Sequence, residues 1–108
     1  MAEVRWTPRA AEDLEAIAEF IAADSRHFAR LFVEDVLQAV ERLGTFPKLG
    51  RTVPELMDPT IREILTGCYR IVYRIKPETI EVITLWHGSR LFDPSRIPPP
   101  EGRGSRKD

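Results

Sequence analysis

The sequence predicts an α+β domain in which a pair of helices packs on an antiparallel β-sheet. Residues 61–90 contain three runs rich in Ile, Val, Tyr and Thr, the residues that suit a half-buried pleated surface. The intervening segments Thr66–Cys68 and Pro77–Thr79 are short enough for hairpin turns and contain turn-forming residues. Upstream of these runs the apolar residues recur with the period of a helix. The predicted order is therefore strand, helix, helix, loop and three strands.

The helical part follows a short candidate strand at residues 3–6. Thr7 suits the N-cap of a first helix and Pro8 its first position, because Thr accepts backbone N–H bonds and Pro has a helical φ. The pair Asp24-Ser25 offers a cap for a second helix, and Gly44 stands where a left-handed C-cap is expected. We therefore expect an antiparallel helical hairpin. Its apolar faces are assigned to Leu14, Ile17, Ala18 and Ile21, then to Phe28 or Ala29, Phe32, Val33, Val36, Leu37, Val40 and Leu43.

The remaining segments are predicted to be irregular. Two prolines and a glycine interrupt residues 46–56, where Phe46, Leu49, Val53 and Leu56 could pin the loop to the core. Residues 93–108 are rich in Pro, Gly and charge, so we expect a tail that is mobile beyond about Arg96. The chain is thus predicted to be one domain, residues 1–92, followed by this tail.

The charge balance argues against general nucleic-acid binding. The formal net charge of the 108 residues is -1, with six Lys/Arg against nine Asp/Glu in residues 1–50 and ten against eight in residues 51–108. A protein that binds DNA through its phosphates usually has a marked basic excess. Direct DNA binding without a partner is therefore not expected.

The cysteine and apolar content indicate a cytoplasmic protein. A single cysteine, Cys68, excludes an internal disulfide and fits a reducing compartment, and we interpret it as a small turn residue. No apolar run approaches the roughly 20 residues that span a membrane. The N-terminus has no apolar signal core, so neither export nor a membrane partner is expected.

The sequence lacks the residue patterns that several kinds of functional site require. No glycine cluster follows a strand, as a phosphate-binding loop would require. His27 and His87 are far apart and have no Cys or His at ligand spacing, so no metal or other cofactor is expected. Ser89 lies beside His87 but without a strained nucleophile elbow, which disfavours a serine hydrolase.

Basic residues inserted in the strand region are the main candidates for function. The set is Arg62, Arg70, Arg74, His87 and Arg90. Because alternate residues of a strand share a face, Arg70 and Arg74 point the same way as Val72. Such a face could hold phosphates or pair with acidic side chains of a protein partner. The structural alternative is that Arg70 and Arg74 pair across strands with Glu63 and Glu81.

His87 has two interpretations. Its imidazole suits acid–base chemistry near neutral pH, and it closes the last predicted strand. An RNA-cleaving site would need a base, an acid and cations on the phosphate. The candidates for acid and base, Tyr69, Tyr73, Glu63 and His87, share no fixed face. The alternative is a hydrogen-bonded structural histidine at a strand end.

Several motifs follow one another between residues 3 and 92. They are a first strand that ends in tryptophan, Thr7-Pro8-x-Ala10-x-x-Asp13-Leu14, the helical hairpin, Phe46-Pro47-x-x-Gly50-Arg51, Arg62-Glu63-x-x-x-Gly67-x-Tyr69-Arg70-Ile71-x-Tyr73-Arg74, and His87-Gly88-x-Arg90. In this order they resemble the RelE/ParE toxin superfamily. The resemblance implies a bacterial toxin of a type II toxin–antitoxin pair. It also implies a cognate antitoxin that binds DNA with one half and wraps the toxin with the other.

The superfamily divides by target, and the sequence favours one branch. RelE-like members are strongly basic, ribosome-dependent mRNA endonucleases, whereas ParE-like members have a longer helical hairpin and inhibit DNA gyrase. The near-neutral charge, the long hairpin and the lack of a tyrosine after Tyr73 indicate the ParE-like branch. We therefore expect a gyrase inhibitor that is not an enzyme. Its expected partner contacts are Arg62, Arg70, Arg74 and Arg90.

Two alternatives stay open at this point. The first is a ribosome-dependent endonuclease acting on mRNA, for which the candidate catalytic residues are Arg62, Arg70, His87 and Arg90. The second is a non-catalytic module that only binds a partner.

Overall fold

The computed structural model describes residues 2–91 and 93–98 as a five-stranded sheet with two helices packed on one face. The elements are β1 (Glu3–Trp6), α1 (Pro8–Ala22), α2 (Arg26–Leu43), β2 (Arg51–Thr52), β3 (Ile61–Thr66), β4 (Tyr69–Ile75) and β5 (Thr79–His87), with 3₁₀ turns at Pro47–Leu49 and Pro94–Arg96. The predicted α+β architecture and order of elements are confirmed. Neither helix has the length and apolar character that a membrane span requires within the described residues.

The sheet is mixed rather than purely antiparallel. Its strand order is β1-β5-β4-β3-β2, and the predicted β3-β4-β5 meander is confirmed. Gly67 adopts a φ of 60° in the first hairpin turn, a conformation that glycine tolerates best. β1 adds to the edge as the parallel partner of β5, with Glu3 opposite Thr79. That register was not deducible from the sequence.

The helix starts follow the predicted caps, whereas the predicted helix end is wrong. The side chains of Thr7 and Ser25 accept the backbone N–H groups of Ala10 and Phe28 at 3.1 Å. Gly44 has a right-handed φ of -63°, so it is no left-handed cap. A Cβ at this position would lie 2.8 Å from the carbonyl oxygen of Ala2. Gly44 therefore allows the N-terminal segment to approach closely. The N–H of Ala2 donates to the carbonyl oxygen of Gly44 at 2.8 Å.

The first core lies between the helices and the sheet. Its fully buried side chains are Ala10, Val36, Val40, Leu43, Ile71, Tyr73, Ile80, Val82 and Leu85. Of the two alternatives for the start of the α2 stripe, Ala29 is buried and Phe28 is exposed. Leu37 is also exposed, so its assignment to the apolar face is wrong.

A second core lies on the sheet face away from the helices. It contains Val53, Ile61, Val72, Ile83 and Trp86, with Leu56 and Ile97 packed against them. The segment after α2 is more regular than predicted, since it includes a 3₁₀ turn and the two-residue strand β2. Its residues Val53 and Leu56 pin it to this core as expected, whereas Phe46 and Leu49 are exposed.

The beginning of the predicted tail is folded onto the sheet. Residues 93–98, which we call the C-terminal strap, include the second 3₁₀ turn, and the side chain of Ile97 packs on the second core. Ile97 and Pro98 thus contact the domain, and the expected mobility beyond Arg96 stays a prediction. Residues 99–108, on which the rest of that prediction falls, lie outside the described residues.

Candidate functional site

Arg70 lies in a buried ionic cluster on the second face of the sheet. It is 6% exposed, and its Nε and Nη2 both lie 2.6 Å from Oε1 of Glu63. Its Nη2 also donates to Oε1 of Glu55 at 2.9 Å. Glu63 has a fully buried side chain and accepts a further bond from Nε of Arg51 at 2.6 Å. The predicted cross-strand pair of Arg70 with Glu63 is confirmed, and Arg70 is not an exposed contact.

The hydrogen bond between Arg70 and Glu55 shifts the pKa of both groups. It raises the pKa of the Arg70 guanidinium, which its bond to Glu63 raises further. The same bond lowers the pKa of the Glu55 carboxyl. Arg70 therefore stays charged, and it cannot serve as a general acid or base.

Arg74 is also inside the protein. It is 5% exposed and lies on the same face as Arg70 and Val72, as the strand alternation predicts. Its Nη2 donates to the carbonyl oxygen of Pro98 at 2.7 Å. The expectation that Arg70 and Arg74 form an exposed partner surface is wrong, because the loop after β2 and the C-terminal strap cover this face.

The Trp86 ring contacts two guanidinium groups, one from Arg70 in the sheet and one from Arg96 in the strap. The guanidinium carbon of Arg70 lies 5.4 Å from the ring centroid, and that of Arg96 lies 5.6 Å from it. Arg96 also donates to Oγ1 of Thr84 at 3.0 Å and to Oδ2 of Asp13 at 3.4 Å. The strap is thus joined to the sheet by cation–π, ionic and apolar contacts.

Tyr73 joins the loop after α2 to the sheet. Its fully buried side chain donates from Oη to the carbonyl oxygen of Pro47 at 2.7 Å and accepts the N–H of Gly50 at 3.0 Å. A Cβ at Gly50 would lie 2.4 Å from the carbonyl oxygen of Glu63. Burial raises the pKa of the Tyr73 hydroxyl, so this group stays protonated through neutral pH.

Arg62 belongs to the same structural junction. It is half-buried, and its Nη1 donates to the carbonyl oxygen of Gly50 at 2.8 Å. The motifs Phe46-Pro47-x-x-Gly50-Arg51 and Arg62-Glu63 are therefore in contact, and together they hold the loop after α2. Their contacts account for the spacing of these two motifs.

Asp13 joins α1 to an irregularity in β5. The β4–β5 register passes from Val72 opposite Thr84 to Tyr73 opposite Val82, so that Ile83 is an extra residue in β5. Oδ2 of Asp13 accepts bonds from Oγ1 of Thr84 and from the N–H of Leu85. Oγ1 of Thr7 donates to the carbonyl oxygen of Ile83 at 3.0 Å.

The sequence reasoning missed the roles of Asp13, Glu55 and Arg96. Asp13 carried a usable signal, because Ala10, Leu14 and Ile17 place it on the apolar side of α1. A carboxylate there needs buried partners. Glu55 and Arg96 lie in irregular segments, where no periodicity indicates which way a side chain points.

A groove of about 440 Å³ opens between α1 and the C-terminal end of β5. Its lining includes Ile17, Phe20, Tyr69, His87, Arg90 and Arg96. The rings of Tyr69 and His87 meet edge to face at 5.2 Å. Nδ1 of His87 accepts the N–H of Ser89 at 3.1 Å, so the proton of the neutral imidazole lies on Nε2.

The structure therefore divides the candidate residues into two groups. His87 and the exposed Arg90 line the groove. Arg62, Arg70 and Arg74 are engaged in internal contacts. Within residues 2–91 and 93–98, no group of three or more His, Cys, Asp or Glu side chains is placed to hold a metal ion.

Comparison with known families agrees with this architecture. The family model of the ParE toxin of the type II toxin–antitoxin system parDE matches residues 4–92. The chain belongs to the ParE toxin family. The predicted membership of this ParE-family toxin in the RelE/ParE superfamily is thereby confirmed.

Two curated relatives resemble this ParE-family chain over most of its length. It is 32% identical over 92 residues to Toxin RelE2 of Caulobacter vibrioides, an alignment that covers 84% of this chain and 100% of that protein. It is 31% identical over 90 residues to Putative toxin Y4kP of Sinorhizobium fredii, with coverage of 82% and 91%.

Two solved structures share the fold of this ParE-family chain. The chromosomal ParDE toxin–antitoxin system from P. aeruginosa superposes with a TM-score of 0.67 at 23% identity, covering 81% of this chain and 96% of that chain. The toxin–antitoxin complex RelBE2 from Mycobacterium tuberculosis superposes with a TM-score of 0.56 at 22% identity, covering 80% and 96%. At these identities the likeness concerns the fold.

Proposed function

We propose that this toxin inhibits DNA gyrase by protein–protein contact and that a cognate antitoxin neutralises it. The match to the ParE toxin of parDE over residues 4–92 supports the first part. The second part is supported by the two solved neighbours, which belong to toxin–antitoxin systems. The near-neutral charge of the chain favours a protein target over a nucleic acid.

The choice of gyrase over mRNA rests on one observation: Arg70 and Arg74 of the sheet bind groups inside the protein. A nuclease must hold the scissile phosphate with cations that are free to meet it. Arg70 is neutralised by Glu63 and Glu55, and Arg74 lies beneath the strap. A protein inhibitor needs no such phosphate site, so this arrangement favours gyrase over mRNA.

A second candidate function is ribosome-dependent cleavage of mRNA. One observation favours it: Tyr69, His87 and Arg90, which could supply acid–base groups and a cation, line the same groove. If this function is the correct one, the His87→Ala and Arg90→Ala variants lose cleavage.

A supercoiling assay run beside a translation assay separates the two functions. Purified toxin is expected to block supercoiling by gyrase and to trap cleaved DNA, and a molar excess of antitoxin is expected to reverse both effects. Ribosome-bound mRNA is expected to remain intact at the same toxin concentration. Normal supercoiling at excess toxin, with cleavage of the bound mRNA, would replace the gyrase proposal by the endonuclease.

A further inference from the structure

We propose that a second copy of this chain docks on the free edge of β3, so that the unbound protein forms a two-fold symmetric dimer. The dimer does not depend on the target of the toxin or on an antitoxin. Three features of this edge support it: unpaired backbone groups, charges that complement themselves and exposed apolar side chains.

The outer edge of β3 is only partly covered by β2. β2 pairs with residues 62–63, whereas residues 64–66 have no neighbouring strand on that side within the described part of the chain. The carbonyl oxygen of Ile61 accepts the N–H of Val53 on the same side. Because alternate residues of a strand direct their backbone groups the same way, the N–H and C=O of Leu65 point outward from this edge. No backbone group of residues 2–91 and 93–98 bonds to them.

This edge lacks the features that usually prevent strand pairing. Natural edge strands are blunted by charged side chains, prolines or bulges. Residues 64–66 are Ile-Leu-Thr, without a charge or a proline, and Leu65 is 63% exposed. In an antiparallel pair centred on Leu65, the two copies of this residue exchange both backbone hydrogen bonds across the two-fold axis.

The surface beside Leu65 carries charges that a second copy can neutralise. A shallow groove of about 680 Å³ between α2 and β3, which we call the edge groove, has a lining that includes Asp35, Gln38, Ala39, Arg42 and Leu65. Asp35 and Arg42 are exposed, lie two helical turns apart on one side of α2, and make no ion pair within the described residues. A two-fold axis beside Gln38 and Ala39 places Asp35 of each copy opposite Arg42 of the partner subunit, so that two ion pairs form.

The same axis brings exposed apolar side chains together. Leu31 lies one turn before Asp35 and is exposed. Phe46 is also exposed and lies one turn after Arg42, to whose carbonyl oxygen its N–H donates at 2.9 Å, as in a helix. Across an antiparallel pair of α2 helices, Leu31 of one copy therefore lies opposite Phe46 of the partner subunit. Their burial together with that of Leu65 stabilises the dimer.

The dimer is expected to be reversible. A three-residue strand edge and one side of a helix bury less than the roughly 800 Å² per partner of a standard interface. We therefore expect a dissociation constant on the order of micromolar.

Disulfide trapping tests the position of the axis. The Leu65→Cys variant is made in a Cys68→Ser background, because Cys68 is the single cysteine of the chain and is exposed. Residues that exchange hydrogen bonds across antiparallel strands have Cα atoms about 5.5 Å apart, within reach of a disulfide. Under oxidation by copper phenanthroline, we expect a covalent dimer from position 65. Leu37→Cys in the same background, an exposed position of α2 outside the edge groove, is the control and is expected to give none. No dimer from position 65, or equal dimer from position 37, would overturn the proposal.

Sedimentation measurements on the full-length toxin test the charges. At a concentration on the order of 100 µM, well above the expected dissociation constant, the unmodified toxin should have twice the mass of one chain. Asp35→Arg and Arg42→Asp should each weaken the dimer on the order of tenfold or more, and the double variant should restore it, because its charges complement each other again. Circular dichroism spectra check that each variant is folded. Since the double variant contains both substitutions, its recovery cannot result from a change in folding.

The proposal fails if the unmodified toxin is a monomer at this concentration, or if the double variant dimerises as weakly as the single variants. It also fails if the toxin is a monomer and Leu65→Lys weakens binding of the antitoxin, since the edge then belongs to that partner. The supercoiling assay on the unmodified toxin decides the proposed function separately.

Discussion

Glu63 accepts hydrogen bonds from two guanidinium groups while its own side chain is fully buried. A buried carboxylate is tolerated only when its charge is paired and its oxygens are hydrogen-bonded. Arg70 satisfies Oε1 from within the sheet, and Arg51 satisfies Oε2 from β2. Glu63 thus connects β2, the shortest strand, to the centre of the sheet. Its two partners, Arg51 and Arg70, belong to two of the motifs that resemble the RelE/ParE superfamily.

Removal of the Glu63 charge is expected to destabilise the fold strongly. In the Glu63→Gln variant, Arg70 loses its most buried anionic partner, and breaking a buried ion pair on one side typically costs about 3–5 kcal/mol. Urea unfolding followed by circular dichroism measures the loss. Glu55→Gln is the matched control, because the Glu55 side chain is 41% exposed and its loss should cost less than about 1 kcal/mol. Equal effects of the two substitutions would contradict the central role of Glu63.

The hydroxyl of Tyr73 is expected to matter in two ways. Tyr73→Phe leaves the N–H of Gly50 without its bond, which should lower the free energy of unfolding by about 1–3 kcal/mol.

Burial raises the pKa of Tyr73 above its ordinary value of 10.0, so the unfolded chain releases this proton at a lower pH than the folded chain. The associated stability is present below pH 10.0 and is lost as pH rises toward the folded-state pKa.

Unfolding titrations of the unmodified toxin and of Tyr73→Phe at about pH 8 and about pH 10.5 separate the two effects. The unmodified toxin should lose more stability than the variant between these two values, because only its chain contains the buried ionisable group. If both proteins lose the same amount, Tyr73 does not titrate in this way.

At the scale of elements, α1 is fastened by its first residues to the bulge in β5. Thr7 both caps the helix and donates to the carbonyl oxygen of Ile83, the extra residue of that strand. Asp13, six residues later in α1, binds the next two residues of β5. The bulge thus exposes backbone and hydroxyl groups that α1 satisfies, which fixes the helix relative to the sheet.

Thr7→Ala is accordingly expected to cost more than the loss of an ordinary helix cap. A cap alone contributes about 1 kcal/mol, and the bond to Ile83 adds a further contribution of about 1 kcal/mol. Ser25→Ala, which removes the exposed cap of α2, is the control. Chemical denaturation of both variants should show the larger loss for Thr7. A loss that is no larger than that of Ser25→Ala would mean that the bond to β5 adds nothing.

Elements with local signals were predictable from the sequence, and features set by distant contacts were not. The caps at Thr7 and Ser25 and the turn at Gly67 involve only residues near them in the chain, so their chemistry can be read locally. Gly44 stands at the position of a left-handed helix cap in the sequence, but in the structure a glycine is needed there because Ala2 approaches it closely. The burial of Arg74 depends on Pro98, which reaches it through a segment without periodicity.

The same reason explains what was predictable of the candidate site. Strand alternation correctly placed Arg70 and Arg74 on one face. It gave no information on whether that face is open, because the covering residues belong to a loop and to the strap. The groove was not predictable either, since it joins α1 to residues at the start of β4 and the end of β5.

At the scale of the whole molecule, both faces of the sheet are covered, by the helices on one side and by the loop and strap on the other. The strap begins after residue 92, where the family match ends. Its contacts with Trp86 and Arg74 make it part of the folded unit. A chain cut at the family boundary would therefore lack part of its second core.

Truncation after residue 92 is expected to expose Trp86 and to lower stability. Loss of the Ile97 packing and of the bond from Arg74 to Pro98 should cost about 1–3 kcal/mol. In a Trp6→Phe background, the fluorescence emission of Trp86 should shift to longer wavelength. A chain ending at residue 98 retains the strap and is the control. Identical emission and stability of the two truncated chains would show that the strap does not contribute to the fold.

The parallel pairing of β1 with β5 has a consequence for synthesis of the protein. Within residues 2–91 and 93–98 the first strand pairs with the last strand, since Glu3 lies opposite Thr79 and Trp6 opposite Val82. The helical hairpin can form early from local contacts, whereas the sheet cannot close until most of the chain has been translated. A nascent chain that stops before β5 therefore cannot form this sheet. The sheet of this toxin closes only after β5 has been translated.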